Sequence, residues 1–237
     1  MGFEAVHVGL DIGQQHDPTA VVAVQVMTDA HQPTRYITQH LERLPIGTPY
    51  PDVAAHLVKL LAAIAAMLRT QREQQMSALA KQVAETGQQV SAGRGGIPQV
   101  DLRLFLDVTG VGRPVYDLME RALQADVRTA HIECKPITFA HGDTYDPNSG
   151  RMGKAFLVSR LQTLFQQRLI QLPPKHPESE AMARELKDYE IRVSDDAKDS
   201  YGAFKVGSYD DLVTALGLAV LEDPNNGRRG GRIRFFD

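Results

Sequence analysis

The feature that most constrains this chain is a carboxylate set inside an apolar, strand-forming run. Val6-His7-Val8-Gly9-Leu10-Asp11-Ile12-Gly13 is apolar enough to be a buried strand and is stopped by glycine. Asp11 falls within it. A charged group buried among apolar neighbours is costly unless it is paired or bound to metal. The end of this strand therefore has to meet something that compensates a negative charge. Thr19 to Met27 is β-branched and apolar and reads as the hairpin partner of the first strand. Tyr36 to Leu44 alternates as a third strand, and Pro45, Gly47, Pro49 and Pro51 punctuate the loop that follows.

The pattern then changes period. Asp52 can cap a helix in which Val53, Leu57, Leu60, Leu61, Ile64 and Leu68 recur at helical spacing. Residues 69–100 read as a Gln-rich helical and loop extension, with Gly87 ending the helix and three glycines between Ser91 and Gly96. Leu102 to Asp107 is a short buried strand, followed by a helix with Pro114 in its first turn that runs to about Ala125. Thr129 to Ile137 reads as a strand, His141 to Gly153 as polar turns, and Lys154 to Leu169 as an amphipathic helix. A helix from Glu178 to Asp188, a hairpin from Tyr189 to Val206 and a last helix from Tyr209 to Leu221 complete the pattern. In that last helix Leu212, Val213, Leu216, Ala219 and Val220 share one side. Residues 224–237 are expected to be a flexible basic tail. A meander followed by alternating strands and helices predicts an α/β fold in one domain spanning 1–237. Its mixed sheet should combine an antiparallel meander with parallel strands and carry helices on both faces.

Composition narrows the chemistry. One cysteine, Cys134, excludes an internal disulfide and a Cys-based zinc site, and fits a reducing cytoplasm. No apolar run reaches the length of a membrane span, and the N-terminus has no basic-then-apolar signal pattern, so no membrane partner is expected. His7, His16, His131 and His141 lack ligand spacing and are expected at surfaces or turns. The net charge is −3, yet Arg151, Lys154, Arg160, Arg168 and Lys175 occupy a stretch with no acid, and the tail adds Arg228, Arg229, Arg232 and Arg234. Such a stripe can hold a phosphate backbone, and equally can be a solvated helix face with a tail.

Three places set carboxylates at the end of an element: Asp11, Asp107 and the pair Asp210-Asp211. If the strands of Asp11 and Asp107 are neighbours, their carboxylates meet at one edge, and the last helix can bring Asp211 to the same point. Clustered anions raise one another's pKa. A divalent cation relieves this, and oxygen-only donors select Mg²⁺ or Mn²⁺. Two such ions about 4 Å apart can activate water and stabilise the leaving oxygen of a phosphodiester. Each acid also has an ordinary structural reading as a turn, loop or helix-start residue.

Three stretches resemble, in order, the nuclease motifs of terminase large subunits. They are Gly9-Leu10-Asp11-Ile12-Gly13 with Asp17-Pro18-Thr19-Ala20, then Leu106-Asp107-Val108-Thr109-Gly110-Val111-Gly112, then Tyr209-Asp210-Asp211-Leu212-Val213-Thr214-Ala215-Leu216. Gly153-Lys154 with its helix, Leu169-Ile170-Gln171-Leu172-Pro173 and Glu185-Leu186-Lys187-Asp188-Tyr189 are similar to intervening segments of that family. The resemblance implies an RNase H-like fold and two Mg²⁺ or Mn²⁺ ions. Asp11, Asp107 and Asp211 would be catalytic, with Asp210 as a further metal ligand. It implies cleavage of concatemeric double-stranded viral DNA during genome packaging, in the host cytoplasm, with the portal and the small terminase subunit as partners. Arg151, Lys154, Arg160, Arg228 and Arg229 would face DNA, and Lys154 and Tyr209 would support the metal site. Tyr209 stands where the family's last motif has histidine, and no P-loop is present, so no ATPase motor is expected. Alternatives are a junction-resolvase-like nuclease, an actin-like or sugar-kinase-type nucleotide-binding domain, and a non-enzymatic domain that docks DNA or a portal ring.

Overall fold

The computed structural model describes residues 2–13, 17–29, 31–86, 101–188, 190–193, 199–202 and 210–224. The first three strands form the expected meander: β1 (Gly2–Asp11), β2 (Ala20–Thr28) and β3 (Arg35–Arg43), paired antiparallel. Helix α1 (Tyr50–Thr86) leads to β4 (Asp101–Asp107), which lies parallel to β1. Helix α2 (Gly112–Ala125) returns the chain to β5 (Glu133–Ala140), parallel to β4. Short strands β6 (Tyr145–Asp146), β7 (Arg151–Gly153) and β8 (Ile170–Gln171) extend the two edges. Helices α3 (Lys154–Gln166), α4 (Pro177–Asp188) and α5 (Asp211–Ala219), with a separate hairpin β9 (Glu190–Val193) and β10 (Asp199–Gly202), complete the described residues. The sheet order is β6-β7-β5-β4-β1-β2-β3-β8. This is the mixed sheet of antiparallel meander and parallel strands anticipated above.

The two faces carry separate cores. Val6, Val8 and Leu10 of β1 and Leu102, Leu104 and Leu106 of β4 pack with Val53, Leu57, Leu61 and Leu68 of α1 and Met119 and Leu123 of α2. Phe105, the even-numbered valines of β2 and Tyr36 pack on the other face with α3, α4 and α5. Successive strand side chains alternate between faces. Hence His7, Gly9 and Asp11 of β1, and Phe105 and Asp107 of β4, share the face covered by α5.

Several elements depart from the sequence reading. β5 begins four residues later than Thr129, because the Thr129 hydroxyl donates to the Leu123 and Asp126 carbonyls and holds the chain in a turn. The polar stretch 141–153 contains β6 and β7, too short to show any period. All nine residues of α5 are buried, because the sheet lies on one side and α3 and α4 on the other, so its apolar face is not one-sided. His7 is completely buried against the Phe105 ring rather than at a surface. β1 is covered on both sides, so its polar residues have no solvent-facing side to occupy. Residues 50–85 of α1 are, by length and composition, apolar enough to cross a membrane, contrary to the expectation above. The Val53–Leu68 stripe is nevertheless spent on the sheet core. The Gln-rich residues 69–86 continue α1, whereas 87–100 and the tail from 225 lie outside the described residues.

Candidate active site

Strand register builds the site. Leu10 pairs with Leu106 across the parallel β1–β4 ladder, so Asp11 and Asp107, one residue on, stand level at the ends of adjacent strands. Helix α5 approaches the same place because β1 carries glycine at position 9. A Cβ there would lie 1.9 Å from the Ala215 carbonyl oxygen and 2.8 Å from the Ala219 nitrogen. His7 lies beside Ala219. From His7 to Asp11, β1 thus runs back along α5 toward its first residue, Asp211.

Helix α5 is anchored at both ends. At its C-terminal end, Arg160 Nε donates to the Val220 carbonyl at 2.6 Å, and Arg160 Nη2 donates to the Tyr36 hydroxyl at 2.9 Å. The Tyr36 hydroxyl donates to the Glu222 carbonyl at 3.1 Å. The Glu222 carboxylate accepts from Arg103 at 2.9 Å, Lys135 at 2.8 Å and Tyr145 at 3.3 Å. At its N-terminal end, buried Glu185 of α4 accepts the amide protons of Leu212 at 3.1 Å and Val213 at 3.4 Å. A carboxylate there satisfies donors the helix itself leaves open and is favoured by its dipole. Arg43, at the end of β3, forms an ion pair with Glu185 and lies 3.5 Å from Glu178.

Electrostatics register the convergence. Burial pushes the Asp11 carboxyl well above the usual carboxylate range, with Asp107, Asp211 and Asp210 adding to the rise and Lys154 opposing it. Burial also raises Asp107, against two hydrogen bonds from Thr109 and the charge of Lys154. Asp211 is pushed up to about 7, chiefly by burial and then by Asp210, with Arg43 opposing and Asp17 adding. Asp211 is 5% exposed, and its Oδ2 has no hydrogen-bond partner among the described residues. Lys154 Nζ lies 4.0 Å from Asp210 Oδ2 and 5.5 Å from the centre of the Phe139 ring.

Asp11, Asp107, Asp210 and Asp211 therefore occupy one corner of the fold, with Lys154 beside them. Among the described residues, however, no three His, Cys, Asp or Glu side chains are gathered tightly enough to hold a metal ion. The donor set itself suits a hard divalent cation: it is all oxygen, it carries more negative charge than Lys154 offsets, and it includes a buried oxygen without a partner.

Other expected site residues divide. Arg151 is exposed at the start of β7, the strand that leads into Lys154. Arg160 is half-buried, and its guanidinium is committed to the end of α5, which takes it away from the solvent stripe in which the sequence placed it. Tyr209, Arg228 and Arg229 lie outside the described residues. Asp17, Thr109 and Glu185 stand in the stretches that resemble terminase motifs but with no role assigned to them, and Arg43 stands in none. Arg43 and Glu185 carry no local signal, because they meet α5 only through tertiary packing.

The chain aligns with the large terminase nuclease of a thermophilic phage, solved with bound magnesium, at 18% identity and TM-score 0.53, covering 91% of this chain and 79% of that one. It aligns equally with the terminase nuclease domain of human cytomegalovirus, at 16% identity and TM-score 0.53, covering 96% and 87%. The fold is that of terminase nuclease domains. A manganese-soaked form of the cytomegalovirus domain aligns at 15% identity and TM-score 0.51, covering 96% and 87%. No protein-family model and no curated protein matches the sequence. The terminase-nuclease fold is thus shared at an identity too low to carry individual residue roles across.

Proposed function

We propose that this chain is a divalent-metal-dependent endonuclease that cuts double-stranded DNA, acting in viral genome packaging in the host cytoplasm. The observation that carries this reading is the meeting of Asp11, Asp107, Asp210 and Asp211 at one corner, where Asp211 Oδ2 is buried without a partner among the described residues. Asp11, Asp107 and Asp211 would hold Mg²⁺ or Mn²⁺ as two ions, with Asp210 as a further ligand. When bound, such ions supply a water nucleophile at neutral pH and charge stabilisation for the leaving oxygen. The terminase-nuclease fold, found in proteins solved with magnesium or soaked with manganese, supports that choice of metal.

The protein's own residues prepare the site. Gly9 lets α5 approach β1, Glu185 and Arg43 set the first turn of α5, and Thr109 holds one oxygen of Asp107. Lys154 places a cation beside Asp210, where it can also meet a DNA phosphate, and exposed Arg151 extends that positive edge. Arg228 and Arg229 would add phosphate contacts, and Tyr209 would lie beside the acids it precedes in sequence. Such contacts position a duplex without reading its bases, so little sequence preference is expected. The portal and the small terminase subunit are the partners this role would bring.

Supercoiled plasmid incubated with the protein tests the reading. Nicking and linearisation are expected in Mn²⁺ or Mg²⁺, without ATP, and loss of both products in chelator. Asp11→Asn and Asp107→Asn should abolish cutting while leaving the fold intact. Undiminished cleavage by either purified variant would refute the assignment.

A further inference from the structure

We propose that Thr109 is a positioning residue that fixes the rotamer of Asp107 and thereby sets the affinity of the site for metal. The inference rests on the metal-dependent reading above and concerns a residue outside the carboxylate set. Thr109 donates twice to one oxygen of Asp107: its amide N–H reaches Oδ1 at 2.8 Å and its hydroxyl reaches the same oxygen at 2.5 Å. The hydroxyl cannot turn freely, because its oxygen also accepts the Phe139 amide proton at 2.8 Å.

That last bond ties the carboxylate to the sheet. The β4–β5 ladder ends where Asp107 pairs with Ile137, and Val108 N–H makes one further bond to the Ile137 carbonyl. The Phe139 N–H lies beyond the end of the paired register, and the Thr109 hydroxyl takes it up. A relay therefore runs from the β5 backbone, through the hydroxyl, to Asp107 Oδ1. No described residue donates to Asp107 Oδ2, so the carboxylate presents one occupied and one open oxygen. The same Phe139 carries Lys154 over its ring, so one β5 residue anchors both the acid and the neighbouring cation.

Thr109 itself is exposed, so its hydroxyl does not serve core packing. Deleting it would leave the Thr109 amide as the one described donor to Asp107 Oδ1 and cut the tie to β5, so the carboxyl group would be held less firmly and part of its ordering would have to accompany metal binding. Groups that orient a metal ligand typically change metal affinity by about 10–100-fold when removed.

The test measures Mn²⁺ binding to the full chain without DNA, by electron paramagnetic resonance of free Mn²⁺, for wild type, Thr109→Val, Thr109→Ser and Asp107→Asn. Plasmid cleavage against Mn²⁺ concentration is measured alongside. Thr109→Val should raise the dissociation constant by roughly tenfold or more, with cleavage recovering at high Mn²⁺. Thr109→Ser, which keeps the hydroxyl, should bind close to wild type, and both variants should melt close to wild type. A merely structural threonine would shift the melting temperature and leave Mn²⁺ affinity alone. Wild-type affinity in a folded Thr109→Val, or equal loss in the serine variant, would overturn the positioning role. If wild type binds Mn²⁺ and Asp107→Asn does not, that failure is confined to Thr109. If Asp107→Asn binds as wild type does, the metal site and the positioning role fall together.

Discussion

His7 makes the stability of this fold depend on pH in a way that can be calculated. Its ring is fully buried and packs edge-on to Phe105 with centroids 5.3 Å apart, beside the Ala219 backbone. Burial first, and then the positive charge of Arg103, lower its pKa from 6.5 to about 4, against smaller opposing effects of Glu222 and Asp101. Between these values the unfolded chain binds a proton that the folded chain refuses. The contribution of His7 to stability is therefore intact above pH 6.5 and is lost as pH falls toward 4. Linkage with those two values gives a loss of about 2.5 kcal/mol between pH 7.5 and 4.5. For a chain of this size that corresponds to a fall in melting temperature of roughly 5–10 °C. His7→Leu removes the titrating group without leaving an unmatched polar partner, so it should cost little at pH 7.5. Carboxylates elsewhere affect both proteins alike and cancel in the difference. Circular-dichroism melts of both proteins from pH 7.5 to 4.5 check this. The melting temperature of wild type should fall more steeply than that of His7→Leu, by the interval stated. Parallel curves would refute the assignment of a neutral, buried imidazole.

Two further outcomes follow from how α5 is held. Gly9→Ala forces a Cβ to within 1.9 Å of the Ala215 carbonyl, a contact that only backbone movement relieves. Urea denaturation should show a loss at or above the upper end of the about 1–3 kcal/mol typical of overpacking, and displacement of Asp211 should lower Mn²⁺-dependent cleavage in any protein that remains folded. Glu185→Ala removes the buried carboxylate that pairs with Arg43 and leaves two amides of α5 uncapped. A destabilisation of about 3–5 kcal/mol is expected by the same assay, and a loss under 1 kcal/mol would contradict the capping role.

Much of this architecture can be read from the sequence because its signals are local. The β1–β3 meander follows from β-branched runs between turn residues, and α2 and α3 follow from apolar spacing. The acids at 11 and 107 mark strand ends because an apolar run stops there. Their meeting depends on the order of strands in the sheet, which the motif order suggests and periodicity does not. Helix α5 looks one-sided in sequence, but its polar side is covered by α3 and α4 once these pack. Arg160 reads as part of a basic stripe, yet α5 ends beside it and takes its guanidinium through the Val220 carbonyl. Glu185 stands in a predicted helix with no local sign of the two α5 amides it accepts from. His7 reads as a surface or turn residue because a strand buried on both sides shows no alternation that would tell an inward histidine from an outward one.

The central claim is that Asp11, Asp107 and Asp211 together hold divalent metal. A crystal of the protein soaked in Mn²⁺, with data collected at the manganese edge, tests it most directly. Anomalous difference peaks are expected among these three carboxylates, with Asp210 adjacent, and no peak should appear there in Asp107→Asn. Strong peaks elsewhere on the surface, with none between Asp11, Asp107 and Asp211 in wild type, would contradict it.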